Sequence, residues 1–257
     1  MEYFILPLTA LTASLLTFFS GFGLGTILTP TFLLFFPVDI AIGMTAVVHF
    51  CNNLFKIILV KRYINYQALI KFGIAGMLGA YIGATALLSL EHLDFQLSWN
   101  LFSQEIITSP IRVTIGIIMI LFALSEFIST KNKFEIKNWF IYLGGILSGF
   151  FGGLSGHQGA LRSIFLIKFN LDKNAFIATG IAIACLIDIT RLSIYTQNLN
   201  KIKLTANFNL IIITCLAAFV GALAGKKLLT KVTISFIQKI VGIAIMLLGT
   251  GLIFGIF

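Results

Sequence analysis

The sequence predicts an all-α polytopic membrane protein of two inverted repeats, each an interrupted helical hairpin followed by three transmembrane helices. Three observations predict it. Of 257 residues, 58% are hydrophobic and only 11% charged, with a mean hydropathy of +1.03, whereas a soluble domain carries about 25% charged residues. The apolar runs are continuous rather than alternating, which fits spanning helices and not the strands of a membrane barrel. Short motifs recur in the same order at residues 1–130 and 131–257, the two repeats.

Taken in order, residues 3–36 exceed what one straight span can use. More than thirty helical residues would run roughly 50 Å at 1.5 Å per residue, against a hydrocarbon core of about 30 Å. The run is broken by Gly21-Phe22-Gly23-Leu24-Gly25 and then Pro30, so it reads as helix, break, helix. Glu2 stands where a signal peptide would be basic, and no small-residue cleavage site follows, so the segment is kept as structure. Spans follow at 39–60, 67–89 and 110–129, with a connecting loop at 90–109. Residues 138–169 repeat the first pattern, broken at Gly152-Gly153-Leu154-Ser155-Gly156-His157-Gln158-Gly159, and spans follow at 173–195, 205–229 and 235–256. Several glycines within a turn or two break a helix, whereas Gly79 with Gly83 and Gly221 with Gly225 have the spacing that packs one helix on another.

Ser20-Gly21-Phe22 recurs as Ser148-Gly149-Phe150, the Gly79 and Gly83 pair as Gly221 and Gly225, and Ile111 with Gly116 as Ile237 with Gly242. Duplication explains the conserved order, with loops changed in length between the copies. Charge sets the orientation. Lys61, Arg62 and Lys71 mark one loop as cytoplasmic, Glu91, Asp94 and Glu105 lie in the next, and Lys131, Lys133 and Lys137 mark the one after as cytoplasmic again. If 138–169 enters and returns, Lys168, Lys173, Lys226, Lys227 and Lys231 all fall inside, leaving Lys201 and Lys203 outside. Five elements per half is an odd number. The repeats are therefore inverted, and the N-terminus is expected outside.

These residues resemble the sulfite exporter TauE/SafE family. The likeness covers nearly the whole chain and rests on Gly21-Phe22-Gly23-Leu24-Gly25, on Thr29-Pro30, on the stretch from Ala46 to Asn53, and on the echo from Gly149 to Gly156. It implies a multi-pass protein of the bacterial inner membrane that exports sulfur oxyanions and small sulfonates, such as sulfite or sulfoacetate. His157-Gln158 and Arg162 depart from the more apolar look of many relatives at that position.

Polar residues inside spans are the binding candidates, because each costs about 2.5–3.5 kcal/mol at a helix centre. His49, Asn52, Asn53 and Lys56 recur at helical spacing and share one face. Asp188 and Arg191, three apart, fall opposite Asn53 and Lys56 in the second repeat, although Thr45 with Thr179 and Cys51 with Cys185 align one residue differently. Interrupted helices offer free N–H groups and a positive dipole end to an anion near the bilayer midplane. Arg162, after the second break, is the expected main charge partner, since two guanidinium N–H groups can meet two oxyanion oxygens. His157, Gln158 and Ser155 of that break, with Thr26 and Thr29 of the first, would add further donors.

The basic excess, 18 Lys and Arg against 9 Asp and Glu, is spread between apolar runs and gives no nucleic-acid patch. Cys51, Cys185 and Cys215 sit in apolar runs, where cysteine acts as a small hydrophobe. No residues have metal-ligand spacing, no cofactor is called for, and Ser155 beside His157 with Asp188 alone makes no intramembrane protease. The expected partners are a small anion and the lipid bilayer. A channel, a carboxylate substrate and a homodimer stay open.

Overall fold

The computed structural model describes residues 1–18, 23–93, 95–101, 104–127, 139–197, 207–228 and 234–256. Ser20, Gly21 and Phe22 of the first break, and the topology residues Asp94, Lys131, Lys133, Lys137, Lys201, Lys203 and Lys231, lie outside the described residues. The chain is helical nearly throughout: α1 (Glu2–Thr17), α2 (Leu24–Leu33), α3 (Val38–Val60), α4 (Tyr66–Glu91), α5 (Pro110–Phe127), α6 (Phe140–Ser155), α7 (Gly159–Leu166), α8 (Lys173–Gln197), α9 (Phe208–Leu228) and α10 (Ile234–Ile253). Among the described residues, the α3, α4, α8 and α9 segments are long and apolar enough to cross a membrane, while α1, α2 and α6 are shorter apolar helices. This is an all-α membrane protein with one addition. Where the sequence suggested only a loop, β1 (Leu97–Leu101) and β2 (Gln104–Thr108) form an antiparallel hairpin, with Leu97 opposite Thr108 and Trp99 opposite Ile106. Alternation along Leu97-Ser98-Trp99-Asn100-Leu101 supplies the two-residue period a strand needs.

Local chemistry sets the helix ends. Gly23 precedes α2 at φ +114° and Gly156 follows α6 at φ +83°, left-handed conformations that a residue with a Cβ adopts at a cost. The Gly156 N–H bonds the Gly152 carbonyl at 3.1 Å, closing the last turn of α6. Asn65 caps α4, its side chain accepting from the Ala68 N–H at 2.9 Å. Pro110 opens α5, where its missing N–H costs nothing.

The packing exchanges elements between the two halves. α4 lies on α6, with Gly79 against the Ile146 carbonyl, Gly83 against that of Phe150, and Gly149 against that of Gly76. α9 lies on α1 in the same manner, Gly221 against the Leu11 carbonyl and Gly225 against that of Leu15. Both pairs run parallel, since successive residues of one helix meet successive residues of the other. α4 also runs parallel to α8, from the Asn65 N–H on Thr179 Oγ1 at 2.9 Å to Gly76 beside Ile187. α3 runs parallel to α9, Asn52 reaching the Ala218 carbonyl and the Phe55 ring stacking on Phe219 at 4.7 Å. α5 and α10 meet antiparallel, Gly116 facing Ile253 and Ile120 facing Gly249.

The surface is apolar and the centre polar, the reverse of a soluble domain. Ile58, Leu78, Leu216 and Leu247 are exposed on outer faces, while Asn52, Asp188 and Arg191 are completely buried. Apolar side chains facing outward satisfy lipid, and the polar groups must find one another inside.

Candidate functional site

α3 and α8 meet at the centre of the molecule, and Asp188 is the hub between them. Its Oδ2 accepts from His49 Nδ1 at 2.7 Å, and Asn53 Nδ2 stands 3.4 Å from the same oxygen. Its Oδ1 accepts from Arg191 Nε at 3.0 Å and from Gln158 Nε2 at 3.1 Å. Arg191 Nη2 lies 2.7 Å from Oδ1, off the hydrogen-bonding direction, so this contact is an ion pair and not a second hydrogen bond. One carboxylate thus binds α3, α8 and the break between α6 and α7. A buried carboxylate with this many donors recovers much of the hydration it has lost.

From the hub the network extends to both breaks. Gln158 Oε1 accepts from Arg162 Nη1 at 3.4 Å, and Ser148 Oγ donates to the Gln158 carbonyl at 2.8 Å. Arg191 Nη1 donates to the Gly152 carbonyl at 3.2 Å, and the Tyr195 hydroxyl donates to the carbonyl of Gly153. The two breaks touch each other: a side chain at Gly25 would meet the Gly156 carbonyl at 3.1 Å and His49 Cδ2 at 3.4 Å. On the far side of Gly156, a side chain would meet the Thr29 hydroxyl at 3.1 Å and Arg191 Nη1 at 3.3 Å. The buried Thr29 Oγ1 has no hydrogen-bond partner among the described residues.

Beside this network lies a narrow cleft, with room for about one water molecule, lined by Thr17, Phe18, Leu24, His49, Asn53, Lys56, Arg162 and Ile181. The end of α1 and the first residue of α2 are part of its lining. Two cationic side chains reach it from different helices, Lys56 from α3 and Arg162 from α7, both buried. With the Asn52 amide oriented to satisfy its neighbours, its nitrogen donates to Ser14 Oγ at 3.0 Å and to the Ala218 carbonyl at 3.2 Å, and its oxygen accepts from Lys56 Nζ at 3.2 Å. The Lys56 ammonium also stands 5.6 Å from the Phe18 ring centroid. Among the described residues, Lys56, Arg162 and Arg191 are buried cations and Asp188 is the buried carboxylate, so the centre holds excess positive charge. An anion placed in the cleft would reduce that excess. The three carboxylate or histidine neighbours that a metal needs do not occur together among the described residues.

The family model described as Sulfite exporter TauE/SafE matches residues 6–252. The chain belongs to this family. It is a family of membrane transporters, for sulfite or related anions, and not of enzymes. Comparisons with curated proteins and with solved structures returned no match.

The twelve candidate residues therefore fall into groups. His49, Asn53, Lys56 and Arg162 line the cleft. Asp188, Arg191 and Gln158 form the network behind it, while Asn52 turns toward α1 and α9 and steadies Lys56. Ser155 Oγ bonds the Phe151 carbonyl at 3.0 Å, and His157 Nδ1 lies 3.1 Å from both Ser155 oxygens, its ring stacked on Phe122 of α5 at 5.7 Å. Thr29 borders the Gly156 contact, and Thr26 is half-buried on the first turn of α2. Sequence reasoning missed Tyr195 and the α1 end at Thr17 and Phe18. Tyr195 was within reach, since Asp188, Arg191 and Tyr195 share one helix face at intervals of three and four.

Proposed function

We propose that the chain is a bacterial inner-membrane secondary transporter that exports a small sulfur-containing organic anion or oxyanion, of the sulfoacetate or sulfite type, by alternating access of two inverted repeats. The observation that carries the reading is the cleft at the first break, where Lys56 and Arg162 converge beside Asn53 and the opening residue of α2. Two cations from separate helices, lining one cleft with an amide, suit an anion with several oxygens. Parallel pairing of α4 with α6 and of α1 with α9, together with antiparallel α5 and α10, supports the inverted arrangement, because exchanging the halves maps each contact onto another. Export needs no further coupling in this reading. An inside-negative potential favours outward movement of an anion by about 2.3 kcal/mol per charge per 100 mV.

The test is ligand-dependent thermal stabilisation of the purified protein against sulfite, thiosulfate, sulfoacetate, taurine, sulfate and short carboxylates, since a ligand that binds only the folded state raises the midpoint. A sulfur anion is expected to raise it, and Arg162→Gln to abolish that rise and the corresponding flux while the protein still folds. Stabilisation by carboxylates alone rejects the sulfur assignment. Normal flux in Arg162→Gln removes that residue from the site.

A further inference from the structure

Outside the cleft, two of the three cysteines come together at the contact between α3 and α9. The helices run parallel there, and the Phe55 and Phe219 rings stack at 4.7 Å with 18° between their planes. One turn earlier on each helix stand Cys51 and Cys215, on the same faces as the two phenylalanines. Between these two layers the Asn52 amide reaches the Ala218 carbonyl at 3.2 Å, which fixes the register. With parallel helices in this register, the two cysteines stand on facing sides of the α3–α9 contact, one turn before the stacked rings. Cys51 is half-buried and Cys215 is buried, so Cys51 is the member of the pair that a small neutral reagent would meet first. The third cysteine, Cys185, lies on a different helix, α8.

We propose that Cys51 and Cys215 are a peroxide-oxidisable dithiol whose disulfide fastens α3 to α9 and arrests transport. The chemistry balances with a peroxide as oxidant. The Cys51 sulfur attacks one peroxide oxygen, the O–O bond breaks, and Cys51 becomes a sulfenic acid with release of water. The Cys215 sulfur then attacks the sulfenic sulfur, the S–O bond breaks, and the second water leaves with the Cys215 proton. Two thiols and one hydrogen peroxide give one disulfide and two waters.

The bond would act on the part of α3 that forms the cleft. His49, Asn53 and Lys56 lie within a turn and a half of Cys51, and α9 is itself held on α1 by the close contacts at Gly221 and Gly225. Cross-linking would add α3 to that pair and prevent its shifting, a consequence that rests on the transport reading.

The experiment treats the purified full chain with hydrogen peroxide, removes the excess, denatures it and counts maleimide-reactive thiols by mass. The count should fall from three to one, with Cys185 the labelled residue and the protein monomeric on a non-reducing gel, whereas Cys51→Ala should keep two and Cys215→Ala should hold Cys51 as a sulfenic acid that dimedone labels. In proteoliposomes, uptake of sulfoacetate, which neither reduces disulfides nor consumes peroxide, should fall at least tenfold after oxidation and return with dithiothreitol, while Cys215→Ala is unaffected. Three reactive thiols after peroxide overturn the dithiol, and a formed disulfide with undiminished flux overturns the arrest. If the untreated protein moves no sulfoacetate, the choice of transported anion fails separately. The thiol count then still decides the pair, and a thermal midpoint that rises on oxidation and reverts with dithiothreitol decides whether it fastens the helices.

Discussion

At the scale of single residues, Asp188 carries the heaviest obligations, because the side chains of His49, Asn53, Gln158 and Arg191 all converge on its two oxygens. Asp188→Asn leaves Arg191 without its counter-charge in a completely buried position, and losing one partner of a buried pair costs about 3–5 kcal/mol. The thermal midpoint in detergent should drop accordingly, and the double variant Asp188→Asn with Arg191→Met should recover much of the loss. Equal midpoints for the single and double variants would show that Arg191 is not what Asp188 holds. Polar residues inside apolar spans were legible as candidates from cost alone. Their partners were not: His49 and Asp188 belong to different halves of the chain, and helical spacing says nothing about which face of α8 meets which face of α3. Thr17 and Phe18 carry no sequence signal, since a threonine and a phenylalanine at the end of an apolar helix look like core or lipid-facing residues.

At the scale of elements, α4 and α6 approach so closely that their glycines touch the opposite backbone. A methyl group at Gly149 would run into the Gly76 carbonyl, with Ala80 N at 2.9 Å. Backbone atoms cannot step aside as a side-chain tip can, so Gly149→Ala should cost upward of about 3 kcal/mol, the high end of overpacking penalties. Leu78→Ala, on the exposed face of α4 at 61% accessibility, should stay within about 0.5 kcal/mol. Paired thermal melts in the same detergent check the contrast, and similar midpoints for the two variants would refute the contact. The glycine spacing in α4 was readable as a packing stripe, and the breaks were readable as glycine clusters. The β-hairpin between α4 and α5 was not, because the alternation runs for only five residues on each strand, too few to stand out from a loop of charged and aromatic residues.

At the scale of the whole molecule, the membrane class and the family were legible because apolar length and ordered motifs survive without knowledge of contacts. The pairing of helices was not, because it depends on which small-residue stripes face each other. The inverted arrangement makes a prediction of its own: cysteines introduced at position 2 and at the tail should both react with an impermeant maleimide added outside intact cells. Protection at position 2 would sink that topology. The exchange of elements has a further consequence for how the protein is made. α1 emerges from the ribosome well before the helix whose glycines receive it, α9, which is synthesised about two hundred residues later. Until then α1 must wait in the membrane with its seam uncovered, shielded by lipid or by the insertion machinery. The pairing of α1 with α9 is therefore a long-range closure, the slow kind of step in folding, and a chain stopped short of α9 leaves α1 without that partner.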